Sequence, residues 1–272
     1  MALAAVLALI ALVRLRWLPV PFERDEGEYA YVGNLILRGG LPYRDAYNMK
    51  LPGTYGIYAL IIAVFGSSPT GVHAGFALIS LATIAALFAT FRRLFSRGVG
   101  LTAAAIYGLL SIGSAVLGFA AHATHFVNLF VALGLWAYSR WDDRRPLVCS
   151  TVTGLMFGLA ILMKQHAALL AVLGGLIVVE RARTAAAGRA RSLLMTATAY
   201  VTSVAAPYAG VVLVMVAAGA FDRFWFWTVT YATSYAAAET PWEVARTLLG
   251  LSFGRIFREH PAVWVLALGG LV

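Results

Sequence analysis

Long apolar runs, with arginine clusters at every second connection, leave this chain few ways to fold. The runs lie at about 1–18, 69–91, 99–118, 125–140, 147–163, 166–180 and 193–218, and a last one starts near 260. About 20 consecutive apolar residues cross a bilayer core as a helix, which satisfies its own backbone groups there. Arg92, Arg93 and Arg97 follow one run, Arg140, Arg144 and Arg145 another, and Arg181, Arg183, Arg189 and Arg191 a third. That is the positive-inside pattern, and it places these connections in the cytoplasm. The alternate connections, 20–68, 119–124, 164–165 and 219–259, then face outward. The expected fold is all-α, a polytopic transmembrane helix bundle of about seven to eight spans.

Composition supports the same class. The chain is 61% hydrophobic and 12% charged, against about 25% charged residues in soluble domains. A net charge of +9 would suit nucleic acid in a soluble protein. Here the basic residues recur between apolar runs, so topology accounts for them and no nucleic-acid partner is expected. The first 13 residues lack a preceding basic region and a small-residue cleavage site, and so read as a retained helix. Cys149 is the sole cysteine, which excludes an internal disulfide. Residues 1–272 read as one transmembrane domain that ends within an apolar run, the front part of a larger bundle.

The acidic residues are unevenly spread. Of 12 in the chain, Glu23, Asp25, Glu26 and Glu28 fall in the stretch FERDEGEYAY. Asp25 and Glu26 come just after the first helix, at the membrane surface. A carboxylate there can take a proton from an attacking hydroxyl, and partial desolvation raises its pKa toward a useful value. Two other readings stand beside it: a solvated loop, or Asp25 as N-cap of a following helix whose positive end favours acids. Residues 27–38 place Tyr31, Leu35 and Arg38 on one helical side, with Ala30, Asn34 and Leu37 close by. This is the pattern of an amphipathic helix on the membrane surface, stopped by Gly39, Gly40 and Pro42. A second surface segment, FDRFWFWTVTYATSY, starts at Phe221.

Segment 52–66 (PGTYGIYALIIAVFG) is short for a span. If it lies flat, loop 20–68 stays outside; if it spans, the acidic stretch falls in the cytoplasm. Its length favours the first arrangement, and Arg14 and Arg16 at the end of the first helix favour the second.

Nineteen arginines accompany only two lysines, Lys50 and Lys164, both on the expected outer side. A cation at a membrane surface can bind phosphate and stabilise a phosphate leaving group, or it can snorkel to headgroups. Snorkelling suits Lys164; Lys50, close to Arg44, Asp45 and Pro52, is the better candidate for function. His122 and His125 stand at i and i+3, and His73 begins another helix. Two histidines one turn apart can share a metal, but no HExxH pattern or partnered carboxylate accompanies them, and packing histidines are expected. His166, beside Lys164, can touch a phosphate.

The order of these segments resembles a known group. An apolar helix is followed by RDEGEYAYVGNLILRGGLPYRDAYNMKLPGTYGIYAL, a helix ending FRRLFSRGVG, and GLMFGLAILMKQHAALL. This resembles the membrane glycosyltransferases of the C-type fold, most closely the branch of protein O-mannosyltransferases, aminoarabinose transferases and Rgt-type lipopolysaccharide sugar transferases. The resemblance implies transfer of a sugar from a polyprenyl-phosphate donor, on the outer side of the membrane, to a hydroxyl or phosphate acceptor on a lipid, glycan or protein. The aspartate of the group's Asp-Glu pair corresponds to Asp25, with Glu26 as an orienting neighbour. The lysine of its Lys-Pro-Pro motif corresponds to Lys50; Leu51 replaces the first proline and Pro52 keeps the second. Asn48 and Met49 stand where relatives often carry a carboxylate. The mechanism so implied is a single inverting displacement, with Asp25 as base and the leaving phosphate held by Lys50, helped by Arg44, Lys164 or Arg255. Asp45, His73, His122, His125 and His166 are supporting candidates. No cofactor is required, and a divalent metal is compatible with the scheme without being implied by it. The arginine- and alanine-rich composition fits a bacterial inner membrane. Two rivals are a transporter or flippase for a lipid or anionic solute, and a catalytically silent relative that binds the lipid carrier. Charges confined to helix ends argue against the former.

Overall fold

The computed structural model describes residues 1–185, 190–237 and 240–269; Arg189 lies outside them. Among the described residues every regular element is helical. The helices are α1 (Ala2–Trp17), α2 (Arg24–Leu37), α3 (Gly53–Phe65), α4 (Pro69–Leu94), α5 (Arg97–Leu110), α6 (Ala123–Ser139), α7 (Pro146–Met163), α8 (Ala167–Ala185) and α9 (Ala190–Ala217). Short helical pieces follow from Phe221 onward, two of them π-helical, at Phe226–Tyr231 and Thr247–Phe253. The expected outer loop 219–259 is therefore largely helical where described.

Three helices, α4, α7 and α9, are long and apolar enough to cross a membrane by themselves. The bundle is held by contacts of α4 with α1, α5 and α6, and of α7 with α6, α8 and α9. Leu169, Leu173, Val201 and Leu213 are more than half exposed on its outside, as a lipid-facing surface requires. Where α7 meets α9, Gly154 and Gly158 face the backbone of α9, and a Cβ on Gly154 would lie 2.6 Å from the Tyr200 carbonyl oxygen. Small residues four apart let two membrane helices approach this closely.

The arginine clusters collect at one end of the bundle. There Arg93 Nε donates to the Ser139 carbonyl at 2.6 Å, and Arg181 pairs with Asp143 at 2.9 Å. The acidic stretch lies at the other end. α3 runs across that end rather than through the bundle. Thr54, at its start, donates to the Met163 carbonyl at the close of α7; Tyr58 donates to the Ala121 carbonyl just before α6; and Gly71, in the first turn of α4, packs against the Phe65 carbonyl. Its 13 residues extend only about 20 Å at roughly 1.5 Å each, short of a ~30 Å hydrocarbon core.

Arg14 and Arg16, which weighed for the opposite arrangement, lose half their force. The Arg14 side chain is 2% exposed, bonds the Gly118 and Ser111 carbonyls, and lies 4.4 Å from the centre of the Phe76 ring. It packs inside the bundle and marks no headgroup layer. α5 also ends earlier than expected, at Leu110, and a 3-10 turn at Ser114–Val116 replaces the last part of the run 99–118.

α2 starts before the expected 27–38. Glu23 is its N-cap, and a capping box links the Glu23 carboxylate to the Asp25 N–H at 2.7 Å and Glu26 to the Glu23 N–H at 3.0 Å. Asp25 is thus not the cap, and its side chain is free for other partners. Tyr29, Val32 and Gly33 are buried and Gly33 fits against Tyr58 and Ala59 of α3, while Tyr31 and Leu37 are exposed.

Candidate active site

At the start of α2, Asp25 and Glu28 share Lys50 as a partner, while Glu26 turns the other way. Glu26 is fully buried. Its Oε1 lies 3.0 Å from His73 Nε2 and accepts the Ala121 N–H at 2.6 Å, tying α2 to the starts of α4 and α6. Glu26 and His73 are thus a buried pair, so Glu26 faces the protein interior and not solvent. Asp25 faces a cavity of about 530 Å³ lined by Tyr29, Met49, Lys50, Thr54, His122, Met163, Lys164, Gln165, Thr228 and Thr233, among others.

Inside this cavity Asp25 Oδ1 lies 3.2 Å from Lys50 Nζ, and Oδ2 lies 3.1 Å from His122 Nε2. Lys50 also pairs with Glu28 at 2.9 Å and sits 4.7 Å from the centre of the Tyr29 ring. Tyr55 donates to the other Glu28 oxygen at 2.7 Å. Glu28 was not singled out from the sequence, although i and i+3 on a helix put it on the same side as Asp25. Both carboxylates that Lys50 meets, Asp25 and Glu28, come from α2.

Lys50 is positioned by its own loop. Its N–H donates to Asn48 Oδ1, its carbonyl accepts the Tyr43 hydroxyl at 2.7 Å, and Gln165 donates to the Met49 carbonyl at 3.2 Å. Opposite stands Lys164, an extended residue closing α7. Gly53 lets α3 reach that helix end, since a Cβ there would fall 2.6 Å from the Leu162 carbonyl oxygen. Overpacking of this kind costs about 1–3 kcal/mol. Gly53→Val is therefore expected to lower the unfolding temperature by a few degrees. It should lower turnover more steeply, by about tenfold or more, because a shift on the order of 1 Å between catalytic groups is costly. Thermal unfolding and activity measured on the same preparation test this, and equal proportional losses would count against it.

The charges are mutually adjusted. Burial raises the Asp25 pKa, but the Lys50 ammonium and then His122 more than reverse this, leaving the carboxyl below its ordinary value. Burial, with Lys50 beside it, depresses the Lys164 pKa, and Asp25 offsets part of that. His122 is held below its ordinary value by burial and by Lys164, against the opposing effect of Asp25. Burial foremost, then Asp25 and Glu28, hold the Tyr29 phenol far above its usual range, so it stays protonated.

Other candidates lie elsewhere. Arg44 and Asp45 pair with each other at 2.8 Å in the exposed loop, and Asp45 caps the Leu41 N–H. That pairing holds the Asp45 pKa at about 2. Arg255 pairs with Glu259 and reaches Ser114, and is not among the residues lining the Asp25 cavity. His125 is buried against Phe76 and lines a separate cavity with Tyr107 and Asn128, so it shares no ligand position with His122. His166 is exposed at the start of α8. Thr228 and Thr233 come from the segment that follows α9, where the sequence pattern shows only aromatics. Among the described residues, Glu23, Asp25 and His122 form a group with ligand atoms within 4.8 Å of one another, able to hold a metal ion.

Residues 52–206 match the family model described as dolichyl-phosphate-mannose-protein mannosyltransferase. The match covers more than half of the chain, takes in Thr54, His122 and Lys164, and begins two residues after Lys50. No curated protein matches the chain, and no solved structure does.

Proposed function

Because the chain belongs to the dolichyl-phosphate-mannose-protein mannosyltransferase family of membrane glycosyltransferases, we propose that the Asp25 cavity transfers a sugar from a polyprenyl-phosphate donor to an acceptor hydroxyl. The observation that carries this is one carboxylate and two lysines around a single cavity at the membrane end: Asp25, Lys50 and Lys164. A cavity of about 530 Å³ is in the usual range for a small-molecule site.

The donor phosphate lies between Lys50 and Lys164, and the acceptor hydroxyl lies against Asp25. Asp25 takes the hydroxyl proton as the oxygen attacks the anomeric carbon. The carbon–oxygen bond to phosphate breaks with inversion, and its electron pair leaves on the phosphate monoester, whose charge the lysines stabilise. Lys50 is the main group lowering the Asp25 pKa. When the donor phosphate shares Lys50, that effect weakens and Asp25 becomes a stronger base. Donor binding thus primes the base. The positive-inside arrangement supports an outer-facing cavity.

The test is transfer from a radiolabelled polyprenyl-phosphate mannose by the purified protein in liposomes, with cell-envelope lipid, glycan and peptide acceptors. The expected result is release of polyprenyl phosphate and a product of inverted anomeric configuration. Donor binding with no release would leave only the silent carrier-binding alternative. Lys50 occupies the charge position beside Asp25, so chelation of divalent metals is expected to leave turnover within about twofold of the untreated protein. A loss restored by added metal would assign Glu23, Asp25 and His122 to an essential ion.

A further inference from the structure

A second cavity, of about 510 Å³, opens at the arginine end between the first turns of α7 and α9. Arg144, Arg145 and Arg191 line it beside Ser192, and Leu147 and Met195 add an apolar wall. Among the described residues, none of these three arginines has a carboxylate within ion-pair distance. The nearby acids are already engaged. Asp143 pairs with Arg181 at 2.9 Å, Glu180 lies by Arg183, and the Asp142 carboxylate accepts the Arg144 backbone N–H at 2.9 Å. The first turn of α7 also lacks a side-chain cap, so the positive end of that helix faces the same space.

We propose that this cavity binds the phosphate headgroup of an anionic phospholipid. Guanidinium groups match phosphate oxygens in paired hydrogen bonds and are weakly hydrated, so they suit a headgroup layer. The apolar wall fits the lipid's glycerol and first acyl carbons, which a free phosphate lacks. Both bordering helices are long and apolar enough to cross the bilayer, so their first turns lie at an interface. The other end of α7 carries Met163 and Lys164 of the Asp25 cavity. Its 18 residues separate the two sites by about 27 Å at roughly 1.5 Å per residue. The lipid therefore sits in the leaflet opposite the Asp25 cavity, and the proposal is independent of the chemistry there.

The test uses the whole purified protein in detergent, with lipid retention followed by native mass spectrometry and unfolding followed by temperature. Phosphatidylglycerol is compared with phosphatidylcholine and with glycerol 3-phosphate. The wild type is expected to retain phosphatidylglycerol and to unfold several degrees higher with it. The double variant Arg145→Gln/Arg191→Gln should bind it about five-fold more weakly per arginine removed, while Arg97→Gln/Arg183→Gln, elsewhere on the same face, should match the wild type. If the double variant does not fold, Arg144→Gln alone carries the same expectation at one step. Equal losses in both double variants would reduce the effect to general surface charge and overturn the site. Equal stabilisation by phosphatidylcholine, or by glycerol 3-phosphate, would overturn the anionic-lipid assignment.

Discussion

Asp25→Asn is expected to lower sugar transfer by about 10³-fold, within the roughly 10²–10⁴-fold contribution of a positioned general base. The replacement keeps shape and can still bond His122, but it cannot take a proton and loses the ion pair with Lys50, which sits 3.2 Å away. The loss should fall on kcat, since the donor phosphate is held by the lysines, and the donor KM should change little. Stability is expected to move in a pH-dependent way. Because the Asp25 pKa is depressed in the folded protein, its contribution is full above the unfolded carboxyl pKa, about 3.9, and is lost as pH falls through the lower folded value. The stability gap between wild type and Asp25→Asn should therefore close below about pH 4. Thermal unfolding across pH, run beside initial rates, checks both parts. Retained turnover would remove Asp25 from the role of base.

Lys50→Met should cost nearly as much in kcat, about 10²–10³-fold, the usual loss when one donor to a developing anion is removed. Unlike the first variant, it should also raise the donor KM. It leaves Asp25 and Glu28 without the cation they share, at 3.2 and 2.9 Å respectively. With the largest pKa-lowering partner gone, the Asp25 carboxyl rises, so the acid limb of the rate profile should shift to higher pH. Lys50→Arg restores charge but not the compact ammonium against the Tyr29 ring, and only part of the rate should return. Steady-state kinetics against donor concentration separate these effects. An unchanged KM would mean that Lys50 acts on Asp25 without touching phosphate.

Much of this arrangement could be read from residue order. The alternation of apolar runs and arginines gave a membrane bundle with its charges at the ends, and a crowd of acids just after the first helix located the cavity. Lys50 stood out because lysine is so rare here. What stayed hidden depended on contacts far apart in the chain. Burial of Glu26 needs His73 from α4 and the Ala121 amide before α6, and no local pattern tells a buried carboxylate from a surface one. Glu28 was within reach, one turn from Asp25, yet its value shows only when loop 38–52 brings Lys50 back over α2. Arg44 and Arg255 pair instead with Asp45 and Glu259 in their own segments, which residue order alone does not reveal. The flat course of α3 follows from its length, but only its contacts with the ends of α4, α6 and α7 decide it.

The side of the membrane on which the Asp25 cavity opens can be read from two single-cysteine proteins. With Cys149→Ser as background, Tyr47→Cys places a thiol on the exposed loop three residues before Lys50, and Arg183→Cys places one at the arginine end; both positions are more than half exposed. A membrane-impermeant thiol reagent applied to intact cells is expected to label Tyr47→Cys at once and Arg183→Cys only after the membrane is opened. Labelling in the reverse order would put Asp25 and Lys50 in the cytoplasm and contradict an outer-facing transferase.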